Sequence, residues 1–290
     1  MKNDPRRVQV STLLAIPATL WLVVFCVIPL LLMVVMSFWK SDLYGLSATW
    51  TLENYVRLFT DWNYLRVLGI TIRVAVVSTI ISLIVAYPVA WFLSQQTGAR
   101  KNVLLILIFL PFWTSYIVRT FVWLPILGRS GLINQILLSA GVITAPVDWL
   151  IYNEGATYLG LVYVYLLYML LPVYLSLDRL DRRLIEAAAD LGAGRYDIFR
   201  KIVFPLSLPG VLSGCVMVFL LSCGAFVTPQ LLGGPSAIMF GNLIASQFSD
   251  ANNWAFGSAL SIVLVCVVLL LLALVGRRVG MQRIFLGGAS

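Results

Sequence analysis

The chain has 290 residues, of which 61% are hydrophobic and only 11% charged, whereas a soluble domain carries about 25% charged residues. That balance excludes a soluble globular enzyme or binding module and leaves a polytopic membrane protein, built of helices because the apolar runs are long and continuous rather than alternating as in barrel strands. The net charge of +8 fits basic loops on one side of a membrane, not nucleic-acid binding, since no basic stretch carries stacking aromatics on a polar face.

The start, MKNDPRR before an apolar run, looks like a signal peptide, but the uncharged stretch from Val8 to Trp39 is too long for its core. An uncleaved first span is expected. A spanning helix needs about 20 apolar residues. Six candidates meet this, at about 13–39, 70–93, 103–127, 157–177, 210–232 and 256–275. They lie in one membrane domain covering 1–290, with no internal repeat and no soluble domain.

Basic residues set the orientation. With the N-terminus in the cytoplasm, the inner side holds Lys2, Arg6, Arg7, Arg100, Lys101, Arg179, Arg182, Arg183, Arg195, Arg200, Lys201, Arg277, Arg278 and Arg283. The outer side holds only Lys40, Arg57, Arg66 and Arg129. This asymmetry predicts both termini in the cytoplasm and an even number of spans.

The first outer loop, about 40–63, brings Trp50, Tyr55, Trp62 and Tyr64, which suit an interface. In the second, 131–142 reads as a short helix lying on the membrane. In the third, 233–248 is uncharged and reads as a segment dipping back toward it. Cys26, Cys215, Cys223 and Cys266 all sit in apolar runs and read as small buried hydrophobes. The chain has no histidine, which removes His-based metal sites and most acid–base chemistry.

The longest and most charged inner loop runs from 178 to 209, between spans four and five. Leu180, Ile185, Ala188 and Ala189 form an apolar stripe on a short helix, with Asp178, Asp181, Arg182 and Arg183 on its other side. Ala187 to Ala189 favour helix and leave little bulk, so something can pack close. Gly192 and Gly194 supply permissive backbone for a sharp turn. Tyr196, Phe199 and Val203 form a second stripe, and Pro205 and Pro209 close the second helix before span five.

Glu186, Ala187 and Ala188, then three residues, Gly192, nine residues, Ile202 and Pro205 follow a recognisable spacing. On these residues the loop resembles the EAA loop of type I, six-span ABC-importer permeases. Phe204 stands where that pattern has leucine, a conservative change in an apolar contact expected to be buried. The resemblance extends to PFWTSYIVRTFVWLPIL, LGLVYVYLLYMLLPVYLSLDRLD and PQLLGG, and the chain looks like the spermidine/putrescine permease group over nearly its whole length.

The resemblance implies an all-α integral membrane protein with the MetI-like ABC permease fold and a cytoplasmic coupling helix between helices 4 and 5. It implies that Glu186 orients the loop by pairing with Arg182 or Arg183, that Ala187 and Ala188 permit close approach, and that Gly192 makes the turn. Tyr196 and Phe199, read as exposed aromatics, plug the groove of an ATPase. The implied partners are a dimer of cytoplasmic ATPase subunits, a second and different permease chain, a periplasmic substrate-binding protein and membrane lipid, in a bacterial inner membrane. ATP and magnesium belong to the partner ATPase: this chain has no Gly-rich phosphate loop, and none of its four lysines follows a glycine.

Substrate is less determined. Polyamines fit the group, while opines, amino-acid derivatives and ferric iron remain open. Trp113, Tyr116 and Trp123 can hold a cation on their ring faces. Arg119, inside the third span, has two readings. It lines the pathway, repelling a cation or attracting a carboxylate, or it snorkels to the outer interface, about 24 Å along the helix from Val103 at helical rise. No Asp or Glu lies within the predicted spans. An intramembrane enzyme would need catalytic groups there, and a passive channel needs no EAA loop.

Overall fold

The computed structural model describes residues 17, 19–42 and 45–279. The expected cytoplasmic residues Lys2, Arg6, Arg7 and Arg283, and the start of the first span at Leu13, lie outside them. The regular structure of the described residues is helical apart from one small hairpin, and six helices among them have the length and apolarity to cross a membrane. Between its ends a helix pairs its backbone donors and acceptors within the segment, which lipid cannot do.

In chain order the elements are α1 (Thr19–Ser37), an antiparallel hairpin of β1 (Lys40–Asp42) and β2 (Gly45–Ser47), α2 (Glu53–Thr60) and α3 (Trp62–Ser94). Then follow α4 (Gly98–Phe109), a tight turn at Leu110–Trp113, α5 (Tyr116–Phe121), α6 (Trp123–Leu127) and α7 (Leu132–Ser139). The long α8 (Glu154–Asp178) leads to α9 (Arg182–Asp190), α10 (Arg195–Ile198) and α11 (Phe204–Cys223). The chain ends with α12 (Phe240–Ser249) and α13 (Trp254–Val279).

Two expectations change. The third span is not one helix over 103–127. It breaks at Pro111, whose ring forces the tight turn at Leu110–Trp113, and Thr114 and Ser115 are extended before α5 begins. The stretch apolar and long enough to span is Tyr116–Ser139, taking in the expected surface helix at 131–142 as α7. Nor do Pro205 and Pro209 close a helix. Helical backbone runs from Arg195 to Cys223 through a π turn at Phe199–Val203. A proline ring clashes with the carbonyl four residues back, here that of Lys201, which the wider turn displaces. The same device serves Pro29, whose residue four back, Phe25, lies in the π turn Val23–Val27.

The chain divides into two compact units. One runs up to Trp62 and includes Ile244–Cys266. In it the ring of Phe38 packs on Tyr55 and Trp50, Asn54 donates to the carbonyls of Ser37 and Trp39 at 2.9 Å each, and the Arg57 guanidinium lies 4.5 Å over the ring of Phe256.

The second unit, Asn63–Leu243 with Val267 onward, holds the loop and most of the core. Its centre is the pairing of α8 with α11 along their lengths. Leu161, Val164, Met169, Val173 and Leu177 of α8 bury against Val211 and Val218 of α11 and Val74, Ala86, Ala90 and Leu93 of α3. Gly210 and Gly214 make the approach possible: a methyl at Gly210 would strike the Pro172 carbonyl, and one at Gly214 would lie 2.8 Å from the Met169 sulfur. Where lipid supplies no hydrophobic drive between helices, such close van der Waals packing holds them together.

Candidate functional site

The loop between α8 and α11 is a helix–turn–helix, as its glycines predict. Asp181 caps α9 by accepting from the Arg183 backbone N–H at 3.0 Å. The helix stops in a Schellman turn, with the Gly192 N–H donating to the Ala189 carbonyl at 2.9 Å and the Ala193 N–H to the Ala188 carbonyl at 3.0 Å. Gly192 has φ +84°, a left-handed conformation that suits glycine. Ile185 and Leu180 face the core. Glu186 and Ala187 are exposed and Ala188 is half-buried.

The outward side is more apolar than its sequence suggests. Leu191 is 90% exposed and Tyr196 71%, with Leu184 also exposed. Leu191 was not among the candidates, although its place just before the turning glycine could have marked it. Phe199 is only partly free, because it packs edge-on against Tyr87 at 5.8 Å and against Phe204 at 6.1 Å. Phe204 itself is exposed, not buried. Tyr87 fills the inner contact instead, with its hydroxyl 2.9 Å from that of Ser207. Ile202 is half-buried, Val203 buried and Pro205 exposed.

No ion pair joins Glu186 to Arg182 or Arg183. Arg182 turns away to the end of α3, where it donates to the carbonyls of Ser94 and Gln95 at 3.2 and 3.1 Å. Beside it Lys101 donates to the Asp178 carboxylate at 2.6 Å, and that bond holds the lysine above the ordinary range. These groups and Glu186 line a cavity of about 730 Å³ under α9.

A second cluster forms within the membrane-spanning part. Tyr116 stacks on Tyr165 at 6.2 Å and its hydroxyl lies 2.9 Å from that of Thr228. Arg119 donates to the Val164 carbonyl at 3.2 Å and sits 5.0 Å over the ring of Phe112. The break at Pro111 voids the straight-helix distance from Val103 on which the snorkelling reading rested. Tyr116 and Arg119 line a cavity of about 390 Å³ with Tyr165, Tyr168 and Phe226. Among the described residues no carboxylate lines it. Trp113 is 85% exposed and stands outside this group. Trp123 packs edge-on against Tyr163. Tyr165 and Tyr168, three residues apart on one face of α8, were missed; their helical spacing was the available signal.

In the half of α3 away from Arg182, Arg73 forms an ion pair with Glu154, which also accepts from the Tyr158 hydroxyl at 3.1 Å. They border a cavity of about 650 Å³ with Arg66 and Gly69. Helix α8 starts three residues before the predicted span, which brings Glu154 into it.

A family model described as "Binding-protein-dependent transport system inner membrane component" matches residues 7–281. The spermidine/putrescine transport system permease protein PotB of Haemophilus influenzae is 38% identical over 253 residues, covering 87% of this chain and 88% of that one. The protein of the same name from Escherichia coli is 37% identical over 258 residues, covering 89% and 93%. The Escherichia coli inner membrane ABC transporter permease protein YdcU is 35% identical over 254 residues, covering 83% and 80%. The fold is similar to that of a chain from a bacterial ABC transporter involved in import of the acidic polysaccharide alginate, with a TM-score of 0.72 at 15% identity over 94% of this chain and 96% of that one.

Proposed function

This chain belongs to the family of binding-protein-dependent transport system inner membrane components, and we propose that its helix–turn–helix loop carries the force of ATP hydrolysis to a polyamine pathway. The chain is a membrane permease subunit of an ATP-binding-cassette importer. In our reading the ATP and magnesium sit on a dimer of ATPase subunits, a second and different permease chain completes the pathway, and a periplasmic protein delivers the solute. Both termini face the cytoplasm.

The observation that carries the coupling role is the loop's outward face. Leu191 at 90% exposure and Tyr196 at 71% stand beside the close-packing Ala187 and the Gly192 turn. Large apolar side chains held in water mark a docking surface. Glu186 lies on the same helix and is free to meet a basic group of the ATPase. Ile202 and Pro205 continue the loop into α11, so a push on the turn acts on span five. ATP binding then opens the pathway outward and hydrolysis resets it.

Spermidine or putrescine is the cargo best supported, by the relatives named for that transport that match 87–89% of the chain. A second reading has one observation in its favour. The cavity at Arg119 offers a guanidinium and tyrosines but no carboxylate, which suits a solute carrying a carboxylate, such as an opine or amino-acid derivative. Calorimetry on the cognate binding protein decides between them. Tight binding of spermidine or putrescine supports the first, and binding of a carboxylate solute with none of either polyamine overturns it.

A further inference from the structure

We propose that Arg182 is a positioning residue, a strut that passes motion of the ATPase-docking loop to span two. The proposal rests on the reading of that loop as the ATPase contact. The polypeptide joins α9 only to its sequence neighbours α8 and α10. Helix α3 ends 87 residues or more before Arg182 in sequence, at Gln95 or earlier, so any force reaching it must cross space.

The end of α3 shows how. A helix leaves its last carbonyls without partners. Here the Trp91 carbonyl accepts from the Ser94 hydroxyl at 2.8 Å. That of Phe92 accepts from the Gln96 side chain at 3.2 Å and the Gln95 N–H at 3.3 Å, and that of Leu93 from the Gln96 N–H at 3.1 Å. The carbonyls of Ser94 and Gln95 remain, and one nitrogen of Arg182 takes both. The cation also stands at the negative end of the helix dipole, where it is favoured.

Arg182 is the first residue of α9, and the Gly192 turn lies just past its last. Nine residues make a lever of about 13 Å at helical rise. A load on Leu191 and Tyr196 therefore acts at the end of α3. Lys101 and Asp178 fasten α4 to α8 beside the same cavity, so α3 moves against a tied pair. In its other half it carries Arg73, paired with Glu154 of α8. Span two thus connects the docking loop to the cavity lined by Arg66, Gly69 and Arg73.

The test uses the whole importer in lipid nanodiscs, with the four native cysteines replaced by alanine and a reporter cysteine at Gly69, where a side chain meets open space. Its labelling rate by a maleimide is measured with and without ATP, which requires no knowledge of the cargo. With Arg182 in place, ATP changes the rate. Arg182→Ala keeps its ATPase subunits but loses the ATP-dependent change, and Arg182→Lys keeps part of it. An unchanged ATP response in Arg182→Ala overturns the strut, as does loss of the ATPase or a parent whose rate ignores ATP. If Arg182→Ala does not insert, Arg182→Lys and Arg182→Gln carry the same comparison. The underlying reading of the loop fails separately, if Gly192→Asp retains the ATPase and transports normally.

Discussion

Gly192 shows what a single residue contributes to the loop. Its φ of +84° has no cost for glycine, while an L side chain there carries strain of about 1–2 kcal/mol. Asparagine tolerates that region better than a β-branched residue. Uptake by the intact importer should therefore rank native above Gly192→Asn, and Gly192→Asn above Gly192→Val, with equal amounts in the membrane. Nothing lies within 4 Å of a methyl built there, so within this chain the ranking reflects backbone shape rather than a clash. Gly192→Asp adds a charge beside the apolar Leu191, and it should leave the chain embedded while detaching or uncoupling the ATPase. Normal uptake by Gly192→Asp would refute the docking role. The turn was legible because Gly192 and Gly194 are local signals. The partner of Arg182 was not, since two carbonyls 87 and 88 residues away leave no trace in side-chain identity.

The elements divide in the same way. Hydropathy located α3, α8 and α13 to within a few residues, apart from an early start to α3. It failed at the third span because it averages side chains and ignores the backbone, so one proline in a long apolar run goes unnoticed while Pro111 breaks the helix. Prolines alone were no better guide, since Pro205 and Pro209 sit in continuous helix, Pro205 with the π turn at Phe199–Val203 making room for it. Helix pairing was also hidden. Gly210 and Gly214 can be read as small residues four apart, but nothing in the sequence says that they meet Pro172 and Met169 of α8. That pairing makes a prediction. Gly210→Ala puts a methyl against backbone that cannot move alone and should cost about 1–3 kcal/mol. Gly214→Ala should cost less, because the nearest atom it meets belongs to the flexible Met169 side chain. Thermal unfolding of the detergent-purified protein should place Gly210→Ala below Gly214→Ala, and the opposite order would contradict the packing.

At the scale of the whole molecule, orientation decides what every site does. The loop we propose as the docking site can reach an ATPase only if it faces the cytoplasm, where ATP is made. The charge asymmetry supports this, with Arg179, Arg182, Arg183, Arg195, Arg200 and Lys201 all between spans four and five. On our proposed topology of six spans, both termini share the loop's side and the end of α7 lies on the opposite side. Two positions test this directly, because each is exposed and neither takes part in the core. Val142 follows α7 and is 69% exposed, and Leu191 follows α9 and is 90% exposed. In a background without Cys26, Cys215, Cys223 and Cys266, Val142→Cys should react with a membrane-impermeant maleimide added outside intact spheroplasts. Leu191→Cys should react only after the membrane is opened, and then more slowly with the ATPase bound than after it is stripped away. Labelling of Leu191→Cys from outside would invert the molecule and remove the coupling role, since no ATPase could reach the loop. Labelling from inside without protection by the ATPase would keep the orientation and move the docking surface off Leu191, leaving Tyr196 and Glu186 to carry it.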